Sequence, residues 1–483
     1  MTRGFAAAAA CVCAALTLTG AAFAGAPVGV AEDATKYADD GGASLFSTMS
    51  LLGLTSNRVS VFWDWQHPGT IQDQPFLDRM VPQASARGIQ LVFALYAVGA
   101  NGSGAAYQIG QNPDAFCAFA KQVAQQYPSV TKFIVGNEPN QGRFWQPQFT
   151  GTTASAGAVF EGVLAKCYDA LKSVNPAIDV IGVGLSPNGT DRSSGNHISR
   201  SPVRFIADIA AAYRSTGRTQ PLFDEFAYHC YPQRHTDTLQ TGYRFWPNAG
   251  CVNLDRIKQA LWDGFHGTAQ KTVEDGLKIM IDETGWQVTT DGRSGYSGVE
   301  TSNPVATEDF QAQVYGQLVS LANCDPAIST LHFLHLVDEA DRDRFQSGLL
   351  RIDLSQRSSA AAVAAGIPKG CTTGTVSWHH AIRVLAPSAL VVKQNGKLYL
   401  SLGAEEGFTY RVSFAPGSAG KKATGKRSAA SERRLKTVSV AGVAPNLSSA
   451  VAIPLGYGGG TATVTFAAES NPQRVQTVAL RVQ

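Results

Sequence analysis

The segment Pro113–Pro139 reads PDAFCAFAKQVAQQYPSVTKFIVGNEP and contains one complete helix-to-strand unit. Its first half, Pro113–Gln126, has apolar residues at helical spacing. Its second half contains the short apolar run Lys132–Gly136, followed at once by the polar residues Asn137 and Glu138. A short, nearly continuous apolar run next to a helix predicts a strand that is covered on both faces, as in a parallel sheet.

The same unit recurs along the chain between about residues 27 and 367. Eight such units predict a (β/α)8 TIM barrel with insertions. A doubly wound open sheet is the structural alternative, but it more often opens on a glycine-rich phosphate loop, and none follows the first run. The eight apolar runs are Val28–Ala31, Val59–Trp63, Leu91–Tyr96, Lys132–Gly136, Ile178–Gly184, Phe223–Tyr228, Lys278–Asp282 and Thr330–Val337.

The pattern of apolar and polar residues changes after about Ala386. Ala389–Leu402 reads as two strands joined at Asn395-Gly396, a strong hairpin signal, and no long helical pattern follows. We therefore predict a catalytic barrel over residues 25–385 and a small all-β sandwich over 386–483. Further alternating segments are Phe408–Phe414, Thr437–Val440, Ala450–Ile453, Thr461–Phe466 and Thr477–Val482.

Composition and the first residues predict an exported protein. The formal net charge of +3 gives no reason to expect a nucleic-acid partner. Residues 1–24 combine Arg3, an apolar stretch and a small-x-small site before Gly25, which is typical of a signal peptide. A membrane anchor is the alternative, but the apolar run is short for a span, and no later segment is long and apolar enough.

Six cysteines remain after the predicted signal peptide. An even number in an exported chain favours disulfides, although six cysteines allow about fifteen connectivities. Proximity in the sequence and the barrel prediction favour three pairs over other connectivities. No CxxC spacing points to a metal site instead. The pairs are Cys117–Cys167, Cys230–Cys251 and Cys324–Cys371.

Polar side chains follow several of the predicted strands. Active sites of (β/α)8 barrels lie at the carboxyl ends of the strands, so residues that end the apolar runs should converge on one rim. Glu138 ends strand four, Glu283 ends strand seven, His229 and Tyr231 end strand six, and Arg58 lies on strand two. Two carboxyl groups in different protonation states are what glycoside cleavage requires.

The surroundings of the two glutamates are expected to differ. Arg58 and the Tyr231 hydroxyl should lie near Glu283 and keep it ionised. No cationic partner is expected near Glu138, so its proton affinity should be higher.

Asn137-Glu138-Pro139 after an apolar strand, with Glu283 ending a later strand, resembles clan A of the glycoside hydrolases. That clan contains the cellulase-like family 5 and relatives such as families 30 and 39. The resemblance covers the barrel and implies a retaining double displacement. It implies that Glu138 is the acid/base, Glu283 the nucleophile and Asn137 the residue that binds the sugar 2-hydroxyl. His229, Tyr231 and Arg58 match supporting positions of the clan.

Two strand ends depart from the family 5 pattern. Strand three ends at Tyr96-Ala97-Val98 without the usual histidine, and strand eight lacks the usual tryptophan platform. Trp286, three residues after Glu283, is a candidate for the missing sugar-stacking face. Trp145 is also expected to be exposed at a sugar cleft. Trp63 and Trp65 fit a position in the cleft and a packing role equally well.

Several other polar residues also have a possible structural role. Asp224 and Glu225 precede His229 within the strand, so they are expected to be buried barrel-layer or strand-entry residues. Asp338 and Glu339 past strand eight fit either rim salt bridges or a substrate subsite. The pair at residues 379–380, both histidines, lacks further ligands at metal spacing, and no cofactor motif is present, so no metal or cofactor is expected.

Three functions remain open from the sequence. Hydrolysis of a β-linked glycan or glycoside is the first. Transglycosylation uses the same two glutamates, and a non-catalytic carbohydrate-binding barrel is the third. The segment 421–436 carries seven Lys/Arg and one Glu. It is expected to be a solvated loop, or else a weak contact for anionic glycans or cell wall.

Overall fold

The computed structural model of the protein describes residues 25–97, 107–302, 304–417, 437–444 and 447–482. The predicted signal peptide at residues 1–24 and the basic segment 421–436 lie outside the described residues.

Eight parallel strands close into a barrel in which each strand lies beside the next one in the sequence and the eighth lies beside the first. All eight neighbouring pairs are parallel, so the predicted (β/α)8 architecture is confirmed. Nearly every strand residue is buried, because side chains fill the barrel on one face and meet the helices on the other. The strands are β1 Val28–Ala31, β2 Ser56–Trp63, β3 Gln90–Ala97, β4 Lys132–Val135, β5 Asp179–Leu185, β6 Glu225–His229, β7 Lys278–Thr284 and β8 Ile328–Leu334.

Helices lie between the strands and cover the barrel. The helix predicted at Pro113–Gln126 has those bounds, and it buries the apolar face that includes Phe116 and Phe119. Among the described residues, no helix is both long and apolar enough to cross a membrane. The helices are α1 Ala34–Tyr37, α2 Ala43–Leu51, α3 Gln74–Ala86, α4 Gln108–Gln111, α5 Pro113–Gln126, α6 Ala156–Val174, α7 Pro202–Thr216, α8 Leu254–Phe265, α9 Glu308–Cys324 and α10 Ser358–Gly366.

The three predicted disulfides are present. Cys117–Cys167 joins α5 to α6, with the two Cα atoms 4.6 Å apart. Cys230–Cys251 ties the end of β6 to the start of the segment before α8, and Cys324–Cys371 joins the end of α9 to the chain that leaves the barrel. All three pairings favoured by proximity are therefore confirmed.

The C-terminal part folds into two antiparallel sheets. One has the order β9-β10-β13 and the other β12-β11-β14-β15. The predicted hairpin at Asn395-Gly396 joins β9 and β10, and both turn residues have positive φ, as a tight two-residue turn requires. The strands are β9 Ser388–Gln394, β10 Lys397–Gly403, β11 Phe408–Ala415, β12 Val438–Ala444, β13 Ser448–Ala452, β14 Thr461–Ala468 and β15 Val475–Arg481.

A buried ion cluster joins the sandwich to the barrel. Arg474 from the sandwich is 2% exposed and lies 3.0 Å from Asp263 on α8 and 3.0 Å from Glu406. Arg204 on α7 pairs with Glu469 of the sandwich at 2.9 Å. Buried charges must be paired, so these contacts hold the two parts in one arrangement.

Candidate active site

Strand β2 and the ends of β4, β6 and β7 bring four predicted site residues together. Arg58, Asn137, His229 and Glu283 lie within hydrogen-bond reach of one another or of a shared partner. Glu138 and Tyr231 complete the group. The barrel places residues that are more than two hundred positions apart in sequence on one rim.

Glycine lets the chain leave β4 in the required direction. Gly136 has φ +94°, and a Cβ there would lie 2.8 Å from the Phe160 ring. The chain therefore turns over Phe160 and directs the next two residues to the rim. Glu138 itself has φ +42°, held by its N–H donating to the Gly184 carbonyl at 2.8 Å. A positive φ at a non-glycine residue is a strain that is commonly found at functional sites.

Glu283 is surrounded by hydrogen-bond donors. The Arg58 guanidinium lies 3.1 Å from its Oε1, and the Tyr231 hydroxyl donates to its Oε2 at 2.8 Å. Both contacts predicted for Glu283 are thus present. The same Arg58 nitrogen, Nη2, donates to the amide oxygen of Asn137 at 2.6 Å. Arg58 therefore links Asn137 to Glu283. Burial alone would lower the pKa of Arg58, but the nearby Glu283 and Asp282 raise it above its usual value.

His229 lies between the two glutamates and is fully buried. Its Nδ1 is 2.9 Å from Glu138 Oε1 and 3.5 Å from Glu283 Oε2, while its Nε2 is 3.2 Å from Asp282 Oδ2. Burial disfavours the charged ring, but the carboxylates of Glu283 and Asp282 outweigh burial and raise the pKa of His229 well above its usual value.

The expectation that Glu138 has no cationic partner was wrong. His229 contacts Glu138 at a shorter distance than it contacts Glu283. The sequence pattern assigned Tyr231 of strand six to Glu283 and gave His229 no glutamate partner. It could not show that the imidazole reaches across the barrel mouth, because that depends on the ring's orientation in three dimensions.

The tryptophan predictions were also wrong where they placed a ring in the cleft. Trp286 is 2% exposed, and its indole N–H donates to the Asp237 carbonyl at 2.9 Å. Trp145 is 3% exposed and packs edge-on against Phe160. Trp63 is fully buried and packs against Phe116, so it is a packing residue. None of these three rings presents a face for a sugar.

Two residues near the site were missed. Asp282 was read only as the end of an apolar run, although it precedes Glu283 and the alternation of strand side chains would have turned it into the barrel. Phe345, beyond β8, is half-buried with its ring centroid 5.7 Å from that of Tyr231. It follows no strand directly, so the sequence carried no signal for it.

The remaining polar residues have structural partners. Glu225 is buried and paired with Lys132 at 2.8 Å, while Asp224 pairs with Lys172 at 2.7 Å, as expected for barrel-layer or strand-entry residues. Asp338 forms a fully buried pair with Arg357.

Glu339 and His380 are also ion-paired. Glu339 lies 3.7 Å from the His335 imidazole. His380 stacks on Trp262 and contacts Glu274. Across the described part of the chain, no group of three His, Cys, Asp or Glu side chains is arranged to hold a metal ion.

Comparison with known proteins supports the fold. No protein-family model matches the sequence, and no similar curated sequence was found. Among solved structures, a family 39 glycoside hydrolase from Bacteroides cellulosilyticus is 19% identical, with 82% of this chain and 74% of that chain covered and a TM-score of 0.50. A monomeric β-xylosidase from Caulobacter crescentus is 13% identical, with 81% and 84% covered and a TM-score of 0.47.

An endo-1,4-β-mannanase from Rhizomucor miehei is 15% identical, with 73% of this chain and 97% of that chain covered and a TM-score of 0.45. At 19% identity the likeness to the family 39 structure supports the fold alone, so the chemistry must be argued from the residues of the site.

Proposed function

We propose that this protein is a retaining glycoside hydrolase that cleaves a β-linked glycan or glycoside by double displacement. The observation that carries the proposal is the spacing of Glu138 and Glu283. Glu138 Oε1 and Glu283 Oε2 lie 2.9 and 3.5 Å from one nitrogen, His229 Nδ1, so these two oxygens are at most about 6.4 Å apart, the sum of the two distances. Retaining enzymes have carboxyl groups about 5–5.5 Å apart and inverting enzymes about 6.5–9.5 Å.

The proposed roles follow from the contacts of each glutamate. Glu283, with donors from Arg58 and Tyr231, is the nucleophile, because these donors favour the ionised form that attacks the anomeric carbon. Glu138 is the acid/base: it gives a proton to the departing oxygen in the first half and takes one from water in the second.

The Arg58–Asn137 contact supports the binding of a sugar hydroxyl. The amide oxygen of Asn137 accepts from Arg58, which fixes the amide plane and leaves the amide nitrogen as the donor. Asn137 is 8% exposed, so its amide is near solvent without being free in it. A donor held in this way can bind the 2-hydroxyl of the sugar, and this hydrogen bond can strengthen as the transition state forms.

Incubation of the mature protein with a panel of β-glycans and aryl β-glycosides tests the activity. Following the anomer of the first product by NMR tests the mechanism. A product that initially keeps the β configuration is expected. Initial inversion would contradict the retaining assignment, transfer to a sugar acceptor would favour transglycosylation, and binding without turnover would leave only a carbohydrate-binding role.

A 2-fluoro glycoside tests the nucleophile independently. The fluorine slows both halves of the reaction, so the glycosyl-enzyme accumulates on the nucleophile. Peptide mapping is expected to find the label on Glu283. Labelling of any other residue would overturn the assignment.

We also infer that the protein is exported. The three disulfides among the described residues support this, because such bonds persist in oxidising compartments and are rare in the cytosol. Expression of the full chain with its first 24 residues, followed by N-terminal sequencing of the protein outside the membrane, is expected to find Gly25 first.

A further inference from the structure

The buried carboxylate of Asp282 has no place in the two-glutamate mechanism. It is fully buried, it directly precedes Glu283, and its Oδ2 lies 3.2 Å from His229 Nε2. Its other oxygen, Oδ1, has no hydrogen-bond partner among the residues that the structure describes. A buried carboxylate is costly to maintain, so its position against the imidazole requires an explanation.

Asp282 determines which ring nitrogen of His229 carries a proton. The pKa of Asp282 is lowered, because the charges of His229 and Arg58 outweigh its burial. An ionised carboxylate can only accept a hydrogen bond, so the facing Nε2 must carry hydrogen. His229 Nδ1 then faces Glu138 either with a proton of its own or as an acceptor.

These two states differ only in where one proton lies. In one, His229 is an imidazolium and Glu138 a carboxylate. In the other, His229 is neutral with hydrogen on Nε2, and Glu138 is a carboxylic acid that donates to Nδ1. The 2.9 Å separation of Nδ1 and Oε1 allows the proton to pass directly between them.

The surroundings hold the ring in this position. Gly184 on β5 has φ +66°, and a Cβ there would lie 3.2 Å from His229 Nε2 and 3.4 Å from Asp282 Oδ2. The absence of a side chain lets the imidazole and the carboxylate meet. The ring of Tyr231 also packs edge-on against the His229 ring.

The charged and titratable groups around His229 come from five elements. They are Glu138 after β4, Asp282 and Glu283 on β7, Arg58 on β2 near Asp282, Tyr231 after β6, and His332 on β8, which burial keeps neutral by lowering its pKa to about 3.

We propose that Asp282 is a positioning residue that fixes the tautomer of His229, and that His229 shares with Glu138 the single proton used by the reaction. The proposal rests on the glycosidase function proposed above. In the first half, the shared proton passes from His229 Nδ1 to Glu138 and from Glu138 to the glycosidic oxygen as the C–O bond breaks and Glu283 bonds to the anomeric carbon, which leaves His229 neutral and Glu138 ionised. In the second half, water attacks the anomeric carbon as the bond to Glu283 breaks, Glu138 takes a proton from that water, and the proton returns to the pair that Glu138 forms with His229 Nδ1.

The replacement Asp282→Asn tests the proposal through the pH profile. It removes the buried negative charge that favours the protonated pair, so the alkaline limb of kcat/KM should move down by about one pH unit or more. Aryl glycosides with poor leaving groups should lose at least about tenfold in rate, whereas dinitrophenyl glycosides should change little, because their departure needs no proton. A merely structural role would lower both rates and leave the limb in place.

Asp338→Asn is the matched control. Asp338 is also a fully buried carboxylate past a strand end, but it pairs with Arg357 and does not contact His229. Its variant is expected to keep the alkaline limb of the wild type. If Asp282→Asn also keeps that limb, or if both substrate classes lose activity equally, the proposal is overturned.

A measurement without substrate separates this proposal from the glycosidase function. Nitrogen-15 NMR of the His229 ring, assigned by comparison with His229→Gln, reports which nitrogen carries hydrogen. In the wild type Nε2 should carry hydrogen across the pH range, whereas in Asp282→Asn, whose amide can donate as well as accept, the neutral ring should populate both tautomers. A neutral ring with a bare Nε2 in the wild type would refute the tautomer assignment. The expected spectra from a protein that cleaves no glycoside would refute only the proposed function.

Discussion

Replacement of Arg58 by methionine is the perturbation whose effect the structure determines most directly. Arg58 is 5% exposed, and its Nη2 serves both Glu283 at 3.1 Å and Asn137 at 2.6 Å. Methionine has similar length and removes the charge and both hydrogen bonds. Glu283 then keeps its contact with Tyr231 but loses its guanidinium partner.

The size of the effect follows from the lost bond to Glu283. A hydrogen bond to a charged group contributes about 1.5–3 kcal/mol. If this loss is felt in full in the transition state, kcat/KM falls about 10- to 150-fold. The free energy of unfolding should fall as well, by at most about 3–5 kcal/mol, because a buried ion pair loses one partner.

The assay is kcat/KM on an aryl β-glycoside that the wild type cleaves, measured well below the unfolding midpoint of the variant. Arg58→Lys, which keeps the charge, should recover part of the rate. Arg218→Met is the control. Arg218 lies in the loop after α7, pairs with Asp169 on α6 and touches no site residue. An Arg58→Met variant that folds and stays within threefold of the wild type would refute the assigned role.

Three further predictions concern separate parts of the molecule. Glu138→Ala should slow substrates with poor leaving groups by about a hundredfold or more and activated aryl glycosides far less, as read from a leaving-group series; equal losses would exclude an acid role. Arg474→Met should lower the free energy of unfolding by about 3–5 kcal/mol in urea titrations, because two buried carboxylates lose their partner; a change below 1 kcal/mol would show that the cluster does not join the two parts. Glu339→Gln should destabilise the protein most near pH 6, because Glu339 helps raise the pKa of the buried His335 to about 9. The stabilisation from the Glu339–His335 pair is complete below the pKa of an unfolded histidine, about 6.5, and is lost as the pH rises through about 9. Urea titrations at several pH values measure this, and a difference that grows with pH would contradict it.

The fold was predictable because its signals are local. All eight apolar runs became barrel strands, and the hairpin at Asn395-Gly396 lies where the turn residues placed it. A buried parallel strand needs apolar side chains on both faces, and a tight turn needs residues that tolerate positive φ. These requirements act within a few residues, so they are visible in one sequence.

The tryptophans show where local signals end. Trp145 and Trp286 follow strand ends, as residues of a sugar cleft would, yet both rings are packed inside the protein. A position after a strand limits where the Cα lies but not where a large side chain points. The direction depends on partners such as Phe160 and the Asp237 carbonyl, which come from other parts of the chain.

The sequence by itself determined the barrel, the ends of its strands and therefore the residues available at the rim, including both glutamates. Only the tertiary structure decided which of these residues touch. It put His229 against Glu138 as well as Glu283 and set Asp282 behind the imidazole. The physical reason is that hydrogen bonds and charge–charge interactions at the site depend on distances of a few ångströms between distant segments, and strand patterns carry no information at that scale.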